Sequence, residues 1–255
     1  MQNNDLQFHL KARAGDVGRY CLLPGDPARC AKIAQYFDNA KLISQNREFT
    51  IYTGTLSGEK VSAVSTGIGG PSAAICVEEL VNIGADTLIR VGTSGGIDLK
   101  VSAGDLVIAQ SAVRQDGTSL EYAPIEYPAT ADFNVTLALK KAADSLKFSY
   151  HIGVVQAKDS FYGQHSPQSM PTSPKLLTQW EAYKKLGVLA SEMESAAIFT
   201  VAAVRRSRAG AVFATLWNQE REAAGLDQDE NFDTTSAIRC AVEAVKILIA
   251  QDKSR

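Results

Sequence analysis

The sequence lacks a Cys-x-x-Cys pair: its four cysteines, Cys21, Cys30, Cys76 and Cys240, lie far apart. That spacing suits neither a zinc site nor a disulfide framework, so they read as reduced core thiols of a cytoplasmic protein. It also lacks an apolar run long enough to span a bilayer, and its opening segment, MQNNDLQFHLKAR, carries no hydrophobic stretch. Secretion and membrane insertion are therefore not expected. An excess of one charge is missing too: 26 basic residues stand against 28 acidic ones, for a net charge of -2. No global field favours nucleic acid or an anionic membrane, and any anion must be held by local groups. Nor is there a low-complexity linker or an internal repeat.

What remains is a 255-residue chain, 45% hydrophobic and 21% charged, ordinary values for a globular protein. Short β-branched runs alternate with amphipathic stretches, which predicts one α/β domain over residues 1–255. Strands are predicted at 20–23, 48–56, 60–65, 104–113, 150–158, 188–192 and 210–218, with a further strand that begins near Thr87 and stops at the glycines before position 96, and helices at 28–37, 71–83, 133–146, 195–206 and 234–250. Trp180–Lys185 closes a further helix, and residues 159–174 are too rich in Pro, Ser and Gly to be regular. A loop that long inside a compact domain is usually functional or disordered, and its aromatics, Gln164 and His165 argue for function.

The chemistry concentrates at strand ends. TLIRVGTSGG, Thr87–Gly96, brings an apolar strand to an abrupt stop with a cation, hydroxyls and glycines at its end. Arg90 would neutralise an anion there, with Thr93, Ser94 and the amides of Gly95 and Gly96 orienting it. The first strand runs into Pro24-Gly25-Asp26-Pro27 and a helix whose first turn carries Arg29, a cation disfavoured by the helix dipole unless an anion sits beside it. The strand ending at Ser65 opens into TGIGGPS, a third glycine-rich turn. A fourth strand end, Ser191-Glu192-Met193-Glu194-Ser195, carries two carboxylates; one could reach a sugar diol, and both could equally decorate a helix N-terminus.

Six spaced motifs occur in order: PGDPAR at 24–29, REFT at 47–50, STGIGGPS at 65–72, RVGTSGG at 90–96, DSFYGQ at 159–164 and SEMESAA at 191–197. By these the chain resembles the nucleoside phosphorylase family of the hexameric or trimeric type over nearly its whole length. The resemblance implies a single α/β domain with a central mixed, partly barrel-like sheet flanked by helices. It implies phosphorolysis of a pyrimidine nucleoside, uridine or also deoxyuridine or thymidine, to free base and sugar 1-phosphate in nucleoside salvage. It places phosphate on Gly25, Arg29, Arg90 and Thr93, with Arg47 from a neighbouring subunit. Ribose falls on Met193 and Glu194, with Glu192 beside them and the neighbour's His9, and the base on Phe161 and Gln164. Each site would be closed by a pair of chains within a homo-oligomer. Inorganic phosphate is then a co-substrate, and neither a metal nor an organic cofactor is required. The resemblance allows a structural monovalent cation, potassium, near Glu48, Ile68 and Ser72.

The residue types suit that chemistry. Phosphate attacks the anomeric carbon as the glycosidic bond stretches, so positive charge builds on the sugar and negative charge on the departing base. The chain departs from the commoner pattern at Ser166, where an Arg is expected two residues after the Gln of the base loop. Lys158, His165 and Arg221 are the replacement cations, with Lys158 first because its strand leads straight into Phe161 and Gln164. Two further readings remain. A purine nucleoside phosphorylase or nucleosidase typically needs an acid where Asn218 stands, and a nucleosidase leaves the arginines idle. A non-catalytic nucleoside-binding protein has no need of both Arg90 and Glu194.

Overall fold

A computed structural model describes residues 6–226 and 229–254. In chain order the elements are β1 (Tyr20–Leu23), α1 (Pro27–Ala34), β2 (Asp38–Asn46), β3 (Phe49–Leu56), β4 (Glu59–Val64), α2 (Gly70–Asn82) and β5 (Thr87–Gly96). Then follow β6 (Leu106–Gln115), α3 (Thr118–Tyr122), β7 (Ala129–Thr130), α4 (Phe133–Leu146), β8 (Tyr150–Lys158), α5 (Phe161–His165) and α6 (Ser173–Lys185). The chain continues through β9 (Ala190–Glu192), α7 (Ser195–Val204), β10 (Arg208–Asn218), α8 (Gln219–Ala223) and α9 (Thr235–Lys253).

The strands form one mixed sheet that is half barrel and half open. β5 pairs with β10, β10 with β6, β6 with β8, β8 with β9, and β9 returns to β5, which closes a ring. Outward from β5 the sheet continues through β1, β4, β3 and β2, while β7 pairs with β6. Helices α2 and α7 cover one face, burying Val77, Leu80, Ile198 and Phe199. The other face is covered by α1, α4 and α9, with Ile33, Leu139 and Leu248 fully buried. All four cysteines are free thiols in this core. Among the described residues no helix is long and apolar enough to cross a membrane.

β5 belongs to both halves, and that is what makes the site. Its first residues pair with β1, from Tyr20 opposite Thr87 to Leu23 opposite Arg90, while Gly95 and Gly96 pair with Ser191 and Ala190 of β9. Between Arg90 and Gly95 the two neighbours have parted, leaving a notch at the carboxyl end of β1. Ligands gather at such a change of neighbour in a parallel sheet, where side chains and unpaired backbone groups face the opening.

The strand does not stop at its glycines as the sequence suggests; it runs on to Gly96. The glycines admit β10 instead. A Cβ on Gly92 would lie 2.7 Å from the Phe213 ring, and one on Gly96 would lie 2.6 Å from Asn218 Nδ2. Other differences are local. α1 ends at Ala34 rather than 37, β2 is not among the predicted strands, and the stretch 159–174 contains α5 and the first two residues of α6.

Candidate active site

The notch opens into a cavity of about 930 Å³ lined by parts of the glycine turns and strand ends. At its back, Arg90 is 5% exposed and its Nη2 donates to Glu194 Oε2 at 2.5 Å. Arg29 enters from the first turn of α1, and its Nη1 donates to the Val91 carbonyl at 3.2 Å, an edge group in the gap between β1 and β9. Burial lowers the Arg29 pKa and the Arg90 charge lowers it further, so two like charges are held together. Thr93, Ser94 and Gly95 line the same wall. Arg90 Nε and Ser94 Oγ are buried without a partner. Paired guanidiniums with donors to spare favour an anion between them.

The glycine turns interlock around that wall. Thr66 N donates to Pro24 O at 2.8 Å and Gly67 N to Gly25 O at 3.1 Å, which extends the parallel pairing of β1 and β4 beyond the strands. Gly25 lies against the Arg90 guanidinium, since a Cβ there would meet Arg90 Nη1 at 3.1 Å. Glu194 joins all three motifs: Oε1 accepts from Gly69 N at 2.7 Å while Oε2 holds Arg90.

Glu192 and Glu194 divide their labour. Glu192 accepts from the backbone N of Glu194 and of Ser195, both at 2.9 Å, and so anchors the first turn of α7. Burial pushes its pKa up to about 7, helped by the nearby Glu194 charge. The reading of these acids as helix-terminus groups therefore holds for Glu192, whereas Glu194 reaches across to β5 and the turn after β4. Both carboxylates and Met193 line the cavity.

The far end of the cavity is formed by Phe161, Gln164, His165, Lys158 and Trp217. Lys158 ends β8, is 6% exposed, and donates from Nζ to Ser191 Oγ at 2.5 Å. Burial lowers its pKa to about 8 against the pull of Glu192 and Glu194, so it remains a cation at neutral pH. His165 lies against two rings, both tilted to it, with centroids 4.3 Å from Phe161 and 5.7 Å from Trp217. Burial and the Lys158 charge lower its pKa below the ordinary value, making it a neutral imidazole at pH 7 rather than a second cation. A second cavity of about 600 Å³ lies beyond Gln164 and shares Lys158, His165 and Trp217 with the first.

Three expected residues are outside the chain's own cavity. Arg221 Nη1 donates to the Leu99 carbonyl at 2.6 Å, and Arg221 is not among the residues that line the cavity with Lys158 and Gln164. The residue that β10 and α8 bring to the base loop is Gln219, whose Oε1 accepts from Gln164 Nε2 at 3.3 Å. Arg47 occupies the exposed tip of the tight turn between β2 and β3, at φ +53°. His9 is held by Glu79 Oε1 at 2.7 Å, and its carbonyl accepts from Asn46 Nδ2 at 2.7 Å, so His9 and Arg47 share one surface. Glu48, next to Arg47, turns inward and accepts from Ser72 Oγ at 2.8 Å, with Ile68 lining the same side.

Sequence reasoning missed Ser191, Gln219 and Trp217. The signal for the last two was their position at the end of β10, two strands from Lys158 around the barrel; Ser191 gave no signal except adjacency to Glu192.

Comparison with known proteins agrees with this geometry. The profile of the phosphorylase superfamily matches residues 19–250. The chain is 54% identical over 253 residues to a uridine phosphorylase of Treponema pallidum, covering 99% of this chain and 98% of that protein. It is 44% identical to a uridine phosphorylase of Thermococcus kodakarensis, covering 98% of this chain and 89% of the other. It is 35% identical to a guanosine phosphorylase of Halorubrum lacusprofundi, covering 95% and 99% respectively. On a match that spans the barrel, the notch and every strand end that lines it, the chain belongs to the phosphorylase superfamily.

Proposed function

We propose that this protein catalyses the phosphorolysis of uridine to uracil and ribose 1-phosphate. The observation that carries the reading is one cavity with Arg29 and Arg90 at the notch, Glu194 between them and the sugar position, and Lys158 beside Gln164 at the far end. The uridine phosphorylases among its relatives support the same substrate.

Phosphate lies against Arg29, Arg90, Thr93 and the Gly25 turn, and one of its oxygens attacks the anomeric carbon. The bond from that carbon to the base breaks, and its electron pair leaves with the pyrimidine. Glu194 grips the ribose hydroxyls over Met193 and, with the phosphate, stabilises the cationic sugar. Phe161 packs on the nucleoside, Gln164 binds the base edge, and the Lys158 ammonium stabilises charge on its carbonyl oxygen. Asn218 supports a pyrimidine over a purine. Its Nδ2 donates to the Asp98 and Val101 carbonyls and its Oδ1 accepts from Glu220 N, so neither an acid nor a free donor stands there for a purine nitrogen.

Arg47 and His9 complete a neighbouring subunit's site in a homo-oligomer; their shared exposed surface, with Phe8 against His9 and 69% exposed, supports this. Glu48, Ile68 and Ser72 would hold a monovalent cation. Its own backbone amide and the Ser72 hydroxyl hold the Glu48 carboxyl below the usual range, leaving an anionic, all-oxygen donor set suited to a hard ion. The test is uracil release from uridine with and without phosphate, alongside inosine: the proposal expects phosphate-dependent release from uridine. Phosphate-independent cleavage, or preference for inosine, would replace it with a nucleosidase or purine reading.

A further inference from the structure

Ser191 connects two groups of the base end that otherwise do not touch. Its Oγ accepts from Lys158 Nζ at 2.5 Å and donates to Gln164 Oε1 at 2.7 Å. Ser191 and Lys158 are 3% and 6% exposed, so neither bond competes freely with water. Gln164 Nε2 in turn donates to Gln219 Oε1 at 3.3 Å.

The direction of the chain follows from its first member. A protonated amine has hydrogens and no lone pair, so Lys158 can only donate. Ser191 has one hydroxyl proton; having accepted from Lys158, it passes that proton towards Gln164. The group it meets must be an acceptor, and that fixes which end of the Gln164 amide is oxygen. The amide NH2 then lies on the other side, with one hydrogen towards Gln219 and the second left for a ligand. In a side chain whose two ends are nearly isosteric, the lysine decides which end is presented.

We propose that Ser191, held by Lys158, is a positioning residue that locks the Gln164 amide with its NH2 towards a base carbonyl, and that this lock selects uridine over cytidine. The inference rests on the proposed reaction. Uracil offers a carbonyl oxygen beside a ring N–H, which matches an amide giving its NH2 to the one and the second lone pair of Oε1 to the other. Cytosine carries an acceptor nitrogen in place of that N–H and an amino group in place of one carbonyl. At either edge it presents at least one mismatched atom to an amide fixed in this sense. An amide free to turn over can exchange its ends and relieve the mismatch at the amino edge. Rejecting a base through a misdirected hydrogen bond costs more than an apolar contact can, because the mismatched groups are left buried and unpaired.

The experiment compares kcat/KM for uridine and for cytidine, at saturating phosphate and pH 7, in the wild-type protein, Ser191→Ala and Ser191→Thr. Thermal midpoints and the KM for phosphate serve as controls for the fold and for the notch. The lock predicts that Ser191→Ala lowers the preference for uridine by about tenfold or more, while the KM for phosphate stays within about twofold. Ser191→Thr, which keeps the hydroxyl, restores the preference. An unchanged preference in Ser191→Ala overturns the lock, as does an equal loss on both nucleosides that threonine fails to rescue, since that is a packing effect. A wild-type protein that releases no uracil from uridine overturns the reaction itself, a different outcome from the failure of the lock.

Discussion

Removing the Arg90 guanidinium tests the notch where the structure commits most. In Arg90→Ala the phosphate loses one of the two arginines supplied by its own chain, and Glu194, whose side chain is 4% exposed, loses its 2.5 Å partner. At an effective dielectric near 20, unit charges about 4 Å apart interact by about 4 kcal/mol, which bounds the phosphate contribution from above. Loss of a single strong electrostatic stabiliser gives about 2–4 kcal/mol, or roughly 30- to 1000-fold in kcat/KM. Breaking the buried pair also costs about 3–5 kcal/mol of stability, because Glu194 keeps only the Gly69 N–H and still faces Glu192. The assay is initial rate against phosphate at saturating uridine, with thermal unfolding in parallel to confirm a folded enzyme. Arg90→Ala/Glu194→Gln should recover part of the lost stability and none of the lost phosphate use. A folded Arg90→Ala protein with the wild-type phosphate dependence would refute the assignment of the notch to phosphate.

Three further outcomes follow from the base end and from the shared surface. Lys158→Ala should lower kcat for uridine far more than it raises KM, and should damage 5-fluorouridine less because its base leaves more easily; equal losses on both substrates would reduce Lys158 to a positioning group. Burial lowers the Lys158 pKa to about 8 in the free protein, so the helpful cation is present below that pH and lost as pH rises through it, and kcat/KM should fall on that limb in the wild type but not in Lys158→Ala. Mixing inactive Arg47→Ala chains with inactive Glu194→Ala chains should restore partial activity in mixed oligomers. Mixed assemblies that form and stay inactive would return Arg47 to its own chain's site.

The motifs were legible because each is a short run with a steric reason: glycines where backbones approach, an arginine at a strand end, acids at a helix start. Their joint geometry was less so. In Thr87–Gly96 the glycines look like chain breakers, and only the Phe213 ring and Asn218 lying against them show that they are strand residues making room for β10. β2 escaped notice because it is an edge strand, with most of its residues exposed and no buried face to impose alternation. Arg47 stands just ahead of the strand predicted at 48–56, and nothing in the sequence marks it as a turn tip while the strand before it goes unrecognised. Arg221 stands out in the sequence by its charge, whereas the turn from β10 into α8 brings Gln219 to the base loop and places Arg221 Nη1 on the Leu99 carbonyl. α5 hid in a stretch rich in Ser, Pro and Gly, where Ser160 Oγ accepts from Gly163 N at 2.9 Å and caps a single turn. The lowered pKa of His165 comes from its burial and then from the Lys158 charge, which no local pattern encodes.

The central claim, that the notch between β1 and β9 delivers phosphate to a pyrimidine nucleoside, is tested most directly by phosphorus NMR of the purified protein with uridine and inorganic phosphate. The account predicts that the phosphate resonance declines while a sugar 1-phosphate monoester grows in step with uracil, one for one, and that neither changes when phosphate is left out. Uracil appearing with no new phosphorus resonance would contradict it.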